Sequence, residues 1–275
     1  MNTATLARTG ASTWNAIGWL KLATRACLAV ALIGQLLFAA YVVVLYGGAL
    51  ARGTLEDWNR AAPHGYVPGD GLGNLIFGSH VLFTVVVVLG VMVQLLPAIR
   101  QHAPAIHRWN GRVYVLAALL LAVGGLLMLA TRGTVGSALQ QLGTAANGLA
   151  IMVCAALAWR HARARRVLQH RRWALRLFVV VSGVWFFRVG LMAWLMVHQA
   201  PVGFDPKTFT GPFLTTLAYA QFLLPLALLE LVFRAQDSGR RGFVIATSVA
   251  VFVFTASMAL GLVGATLMMW WPRMR

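Results

Sequence analysis

The stretch from Trp159 to Arg176 reads W-R-H-A-R-A-R-R-V-L-Q-H-R-R-W-A-L-R and contains seven arginines, two histidines and no acidic residue. A long apolar run lies on each side of it. Lysine and arginine are enriched in the short loops that a membrane protein keeps on the cytoplasmic side. The stretch therefore predicts a cytoplasmic loop between two membrane-spanning helices, and it sets the direction in which the neighbouring helices cross.

The composition of the whole chain indicates the same class. Of its 275 residues, 60% are hydrophobic and 11% are charged, whereas soluble domains are about 25% charged. The formal net charge of +17 comes from basic residues in short gaps between apolar runs, which indicates membrane topology rather than nucleic-acid binding. Cys27 and Cys154 both fall inside apolar runs and are typical of small buried hydrophobic residues rather than of a disulfide.

Seven apolar segments reach the length of ~20 residues that a helix needs to cross a bilayer. They are residues 22–48, 75–97, 113–131, 138–158, 174–197, 213–233 and 243–270. We therefore expect an all-α, polytopic integral membrane protein, a bundle of about seven transmembrane helices. A polar N-terminal leader, residues 1–21, would precede a single transmembrane domain, residues 22–272. In the last span Ser257, Gly261 and Ala265 recur every four residues, a stripe that predicts a helix-packing face.

The distribution of basic residues between the loops predicts the orientation. The N-terminal segment and the loops after the second, fourth and sixth spans hold 16 of the 23 lysines and arginines, the other loops hold 6, and Arg188 lies inside a span. This places the N-terminus in the cytoplasm and the C-terminus outside. We expect a multi-pass protein of the bacterial cytoplasmic (inner) membrane whose basic loops contact anionic lipid headgroups. The oligomeric state stays open.

Five polar side chains are predicted to lie within the spans at a similar depth. They are His80, Asn147, Arg188, Tyr219 and Gln221. With a rise of about 1.5 Å per residue, all five fall in the outer half of the bilayer, so we expect them to line one polar cavity. The alternative is structural: a buried core histidine, and amides that join helices. Arg188 is the sharpest signal of function, because no carboxylate is predicted at its depth.

A second cluster is expected at the cytoplasmic edge. Its members are His107, Arg108, Arg112, Tyr114, His170, Arg171 and Arg176. The arginines would be explained if these loops only fix the membrane topology and bind lipid headgroups. The presence of the histidines is explained less well by that role. His107 and His170 come from different spans, so they are candidates for the axial ligands of haem b. No other metal site and no catalytic residue is predicted.

Two histidine–arginine motifs resemble a known family. The motifs are H-R-W-N-G-R-V-Y from His107 to Tyr114, preceded by Gln94 and Pro97-x-x-Arg100, and H-R-R-W-A-L-R from His170 to Arg176, followed by Arg188, with Gly78-Ser79-His80 opening the second span. Over residues 75–200 the chain resembles the uncharacterised bacterial membrane proteins grouped as domain of unknown function 2306. The resemblance implies no established activity, but it implies a set of hallmark positions. These are His80, Arg100, His107, Arg108, Gly111, Arg112, Tyr114, His170, Arg171, Trp173, Arg176 and Arg188.

Three functions from different classes follow as hypotheses. The first is an intramembrane His/Arg site that binds or transports a small anionic ligand or an anionic lipid, which Arg188 favours. The second is a redox membrane protein that binds haem b or a quinone, for which His107 and His170 are the candidate haem ligands. The third is a non-catalytic membrane assembly or scaffold protein. Whether the chain is an enzyme, and which cofactor it holds, stays open.

Overall fold

The structure, a computed structural model, describes residues 3–133 and 135–274. Within these residues the chain forms helices joined by loops, with no strand and one isolated β-bridge between Asp205 and Thr210. Among the described helices, six are long and apolar enough to cross a membrane, and the number is seven if a bent helix pair counts as one span. The predicted all-α bundle of about seven spans is confirmed. The direction in which the spans cross stays a prediction.

The helices are numbered in chain order. They are α1 (Thr3–Val42), α2 (Gly48–Arg52), α3 (Gly71–Leu95), α4 (Pro97–His102), α5 (Pro104–Arg132), α6 (Ala138–Arg163), α7 (Val167–Val181), α8 (Gly183–His198), α9 (Pro212–Ser238), α10 (Arg241–Gly264) and α11 (Trp271–Met274). Two π-helical segments, Val43–Gly47 and Ala265–Trp270, continue α1 and α10, and a 3-10 helix spans Leu55–Arg60. α1 runs without a break past residue 21, and Met1 and Asn2 of the predicted leader lie outside the described residues.

Local sequence signals explain where several helices begin. Pro104 occupies the first turn of α5, where a missing N–H costs nothing because that group has no partner within the helix. Asp70 caps α3 by accepting a hydrogen bond from the Gly73 N–H. Ser137 and Gln140 form a reciprocal capping box at the start of α6. Each cap pairs backbone groups that the first turn of a helix otherwise leaves unpaired.

The fifth crossing, predicted as one helix, is two helices, α7 and α8, bent by 53° at Ser182. The Ser182 hydroxyl donates to the Phe178 carbonyl at 2.7 Å and accepts from Gln35 Nε2 of α1 at 2.7 Å. The amide of Asn147, on α6, lies over Gly183, where a Cβ atom would collide with it. Serine–glycine pairs and serine hydroxyls bonded to their own helix are common causes of sharp bends.

The bend sends the two halves of this crossing to different neighbours. α7 packs along α6, whereas α8 packs against α9 and α10. Further contacts join α1 with α10 and α3, α3 with α5, and α5 with α6, so the crossings form a ring. Because α8 turns away from α6, space opens between the helices in the half of the bundle that contains α8.

Close packing of α8 against α10 depends on a glycine. A Cβ atom on Gly261 would collide with the carbonyl oxygen of Val189 on α8, a backbone atom that cannot rotate aside. Gly261 and Ala265 are buried, as the predicted small-residue stripe requires, whereas Ser257 is exposed. The stripe therefore predicted the packing face correctly at two positions and wrongly at Ser257.

The two ends of the bundle differ in character. One end carries residues 53–70, which we call the lid, and we refer to it as the lid end. The other end carries the arginine-rich loop of residues 164–166 between α6 and α7, and we refer to it as the basic end. The half of the fifth crossing formed by α8 leads to the lid end.

Candidate functional site

A cavity of about 280 Å³ lies between the crossings in the lid half of the bundle. Three of the five polar residues predicted at membrane depth line it: His80 from α3, Asn147 from α6 and Arg188 from α8. Their spans are separated along the chain, and the ring of helices brings them to one space. The bend at Ser182 contributes to this arrangement because it carries Arg188 away from α6 and leaves room in front of it.

Neither Tyr219 nor Gln221 appears among the described residues of the cavity wall. Both lie on α9, which packs behind α6 and α8. Gln221 is buried and donates to the Ala218 carbonyl on its own helix at 2.8 Å. That carbonyl lies close to Gly143 of α6, since a Cβ atom there would be 3.0 Å from it. Gln221 therefore belongs to the packing between α6 and α9 and not to the cavity.

Arg188 has few partners in the cavity wall. Its guanidinium donates to the Val184 carbonyl of its own helix at 3.1 Å and lies 5.4 Å from the ring centre of Phe38. No aspartate or glutamate is among the described residues that line the cavity, and the four ion pairs of the described chain do not include Arg188. A guanidinium has five N–H donors, so most of its hydrogen-bonding capacity is unused.

Three buried polar atoms in the same wall make no hydrogen bond to the described residues. They are His80 Nδ1, Asn147 Oδ1 and Trp185 Nε1. The His80 ring packs closely on α5, where a Cβ atom at Gly125 would lie 3.2 Å from it. Each unpaired buried polar atom costs about 1–3 kcal/mol, so three of them around one cavity indicate that water or a ligand completes its wall.

The first crossing supplies cavity residues that the sequence analysis did not single out. Gln35, Tyr41 and Tyr46 line the cavity from α1 and the π-helical segment that follows it, and Ser182 and Trp185 line it beside the bend. A usable signal existed for Gln35, which is an isolated amide in the middle of the predicted first span. The two tyrosines carry no such signal, because aromatic residues near span ends are typical of the membrane interface.

The lid covers the end of the cavity. Trp58 is buried, donates from its indole to the Tyr46 carbonyl at 3.1 Å, and packs with a ring-centre distance of 5.5 Å on Phe77. Ala62 of the lid forms part of the cavity wall itself. The lid is therefore held in place by aromatic packing on the bundle.

Arg132, at the end of α5, clamps the lid. Its guanidinium pairs with Asp70 at 2.5 Å and also donates to the carbonyls of His64 at 2.9 Å and Gly65 at 3.1 Å, and to the Asn74 side chain at 2.9 Å. Only 11% of the Arg132 side chain is exposed. The Arg132 guanidinium, helped by the Gly73 N–H, holds the pKa of the Asp70 carboxyl below its ordinary value of 3.8, because both stabilise the charged form.

At the basic end, part of the predicted arginine cluster is paired with acids. Arg176 forms a bidentate ion pair with Glu230, in which two guanidinium nitrogens donate to the two carboxylate oxygens at 2.6 and 3.0 Å. A single terminal nitrogen of Arg172 donates to both carboxylate oxygens of Asp237, at 2.6 and 2.8 Å. These pairs tie α7 to α9, so they have a structural role in the bundle. The other predicted arginines at this end are exposed: Arg108, Arg112 and Arg171.

The two motif histidines come near each other at the basic end. His107 lies close enough to His170 for the charge of one ring to act on the other. His170 Nδ1 is 2.9 Å from the Ala158 carbonyl, while His107 Nδ1 is buried without a partner. Tyr114 is buried two turns further along α5, and its hydroxyl also lacks a partner. Within the described chain, no group of three or more histidine, cysteine or acidic side chains is arranged to hold a metal ion.

Comparison with known proteins agrees with the motifs. The model of the family described as "Predicted membrane protein (DUF2306)" matches residues 77–224, more than half of the chain. The match contains His80, Asn147 and Arg188 of the cavity and both histidine–arginine motifs. No curated protein and no solved structure matches the chain. This multi-pass membrane protein therefore belongs to the DUF2306 family of predicted membrane proteins.

Proposed function

We propose that the protein binds a small anionic ligand at Arg188 and transports it into or across the bilayer. The observation that carries the proposal is the position of Arg188, which faces a cavity of about 280 Å³ whose described wall contains no carboxylate. A charged side chain that lies within the bilayer without an acidic partner costs several kcal/mol. An anion in the cavity would offset this cost. It would also accept hydrogen bonds from the guanidinium N–H groups that do not bind the Val184 carbonyl.

Anionic lipid enters the proposal at the opposite end. Arg108, Arg112 and Arg171 are exposed at the basic end, where headgroups of anionic lipids would neutralise them. Together with the 16-to-6 distribution of basic residues between the loops, this supports a basic end in the cytoplasm of a bacterial inner membrane and a cavity near the outer face.

Replacing Arg188 with glutamine is expected to weaken binding of the ligand about tenfold or more, because a hydrogen bond between charged groups contributes about 1.5–3 kcal/mol. Native mass spectrometry of the purified protein would identify co-purified anions, and titration in lipid nanodiscs would measure their affinity. Arg241→Gln is the matched control, since it removes the same charge from an exposed position at the basic end. It should bind like the unmodified protein.

Two outcomes would count against the proposal. If Arg188→Gln remains folded and binds every anion as tightly as Arg241→Gln, Arg188 is a structural residue held by its own helix. If no anion binds and Arg188→Ala and His107→Ala both restore every phenotype of a deletion strain, the third hypothesis, an assembly or scaffold protein, is supported instead.

A redox protein is the second candidate, and the pair His107 and His170 favours it. A histidine that ligates a metal usually donates a hydrogen bond from its other ring nitrogen to a carbonyl, and His170 has such a partner in the Ala158 carbonyl.

The visible spectrum of the purified protein, before and after dithionite, separates the anion-binding protein from the redox protein. A Soret band that shifts on reduction and is lost in His170→Ala would support haem b. If the protein is colourless when it is expressed with haem in excess, the haem hypothesis is wrong. Solvent extraction of the purified protein would then test for a bound quinone.

A further inference from the structure

The charge of the cavity wall restricts which anion fits. Arg188 is the one lysine or arginine among the described wall residues, and no aspartate or glutamate accompanies it. Arg273 is near enough for its charge to act on Arg188, but it lies outside the wall and donates to the carbonyls of Met269 and Arg60. One guanidinium neutralises one negative charge, and a second charge would stay uncompensated in a medium of low dielectric constant. The wall therefore favours a monovalent anion over a divalent one such as sulfate.

The rest of the wall is largely apolar. Its aromatic members are Phe38, Tyr41, Tyr46, Phe77 and Trp185. Its aliphatic members include Val87, Val88, Ala122, Ile151 and Val181. A small inorganic anion would leave these surfaces without contacts, whereas a ligand with an apolar body would bury them.

The size of the cavity sets the size of that body. A water molecule takes up about 30 Å³ in the liquid, so about 280 Å³ corresponds to roughly nine waters, or to a ligand of roughly a dozen non-hydrogen atoms. A phospholipid with two acyl chains is several times larger. The planar, forked guanidinium of Arg188 also matches a carboxylate, whose two oxygens accept two parallel N–H bonds.

We propose that the ligand is a monocarboxylate with an apolar body of about ten carbons, its carboxylate on Arg188 and its body against the apolar walls. This inference rests on the proposed function, because it takes Arg188 as the residue that binds the charge. It goes further in naming the substrate class: an amphipathic organic acid rather than an inorganic ion or a phospholipid.

A chain-length series tests the substrate class. Acetate, butyrate, hexanoate, octanoate, decanoate and tetradecanoate would be titrated into the full chain in lipid nanodiscs, with empty nanodiscs as the background for partition into lipid. Nanodiscs are preferable to detergent, because detergent is itself an amphiphile. We expect affinity to rise about fourfold per methylene group up to decanoate and to fall for tetradecanoate. Octan-1-ol should bind at least about tenfold more weakly than octanoate, because it lacks the charge.

A cavity-filling variant locates the apolar body. Ala122→Leu adds bulk at a buried position of the wall and should shorten the preferred chain by about three carbons, the number that the new side chain adds. Ala105→Leu makes the same change at an exposed position at the start of α5 and should leave the preferred length unchanged. Thermal unfolding of each variant shows whether it is folded.

The results separate the two levels of the proposal. If inorganic phosphate binds in an Arg188-dependent way as tightly as octanoate, or if chain length has no effect, the substrate class is wrong while an anion site remains. If octan-1-ol binds like octanoate and Arg188→Gln changes neither, or if no probe binds to the folded protein, both the substrate class and the anion site are overturned.

Discussion

Replacement of Gly261 with alanine is expected to destabilise the bundle by about 3 kcal/mol or more. The new Cβ would collide with the carbonyl oxygen of Val189 and come within 2.9 Å of the carbonyl carbon. Because both atoms belong to the backbone of α8, no side chain can rotate to relieve the contact, and α8 and α10 must move apart. Thermal unfolding in nanodiscs, followed by tryptophan fluorescence, measures the loss.

The matched control is Gly18→Ala on α1, where a Cβ atom would have nothing within 4 Å. Alanine there should be neutral or stabilising, since it favours a helix over glycine by up to about 1 kcal/mol. The Gly261 variant should also bind ligand more weakly, because Val189 follows Arg188 directly. A Gly261→Ala protein that unfolds at the same temperature as the unmodified one would show that the two helices do not pack this closely.

Replacement of Arg132 with alanine is expected to release the lid while leaving the bundle folded. It removes the hydrogen bonds to the carbonyls of His64 and Gly65 and to Asn74, whose loss costs about 1–3 kcal/mol. Hydrogen exchange of residues 53–70 should therefore accelerate roughly ten- to hundredfold, because local opening follows its own free energy. Peptides from the transmembrane helices should exchange as before.

Arg52→Ala is the control for the lid. Arg52 also pairs with an acid of the lid, Asp57 at 3.4 Å, but 59% of its side chain is exposed. Exposed pairs of this kind contribute about 0–1 kcal/mol, so exchange in the lid should change little. Equal acceleration in the two variants would show that the lid does not depend on the buried clamp.

The clamp should also weaken in acid. The pKa of Asp70 lies below its ordinary value of 3.8, chiefly because of Arg132. A carboxylate with a lowered folded-state pKa contributes stability that is complete above the unfolded pKa and is lost as the pH falls through the folded pKa. The protection of lid amides, meaning the slowing of exchange relative to the intrinsic rate of an unprotected amide at the same pH, should therefore decrease as the pH falls below about 4. Asp57 in the lid also has a lowered pKa, owing first to Thr54 and then to Arg52, so its protonation must be distinguished from that of Asp70.

The variants Asp70→Asn and Asp57→Asn make this distinction. Lid amides should exchange fast at neutral pH in Asp70→Asn and should exchange as in the unmodified protein in Asp57→Asn.

Part of the candidate site was predictable from the sequence, because a charged or polar residue inside an apolar segment can be recognised from that segment alone. Arg188, His80 and Asn147 each stand out against apolar neighbours, and counting residues from the span ends gave them a similar depth. The same counting failed for Gln221, since depth along a helix does not say which side of it faces a cavity. That side is set by neighbours, and α9 presents Gln221 to α6.

The bend in the fifth crossing shows why the cavity itself was not predictable. The Ser182–Gly183 pair is a sequence signal for a bend, but the same pair also fits a straight span. The bend is supported by a hydrogen bond from Gln35, which lies 147 residues away, and by the Asn147 amide over Gly183. Neither partner can be assigned before the packing of α1 and α6 is known.

The sequence by itself determined the class of this protein, the approximate number of its spans and its family, because each rests on properties of short segments: ~20 apolar residues, charge in a loop, a motif. The tertiary structure alone decided where the fifth crossing bends, which polar residues share a cavity and how the lid is held. These depend on contacts such as Arg132 with Asp70, 62 residues apart. Such contacts form only when the helices pack, so the sequence pattern of a single helix does not predict them.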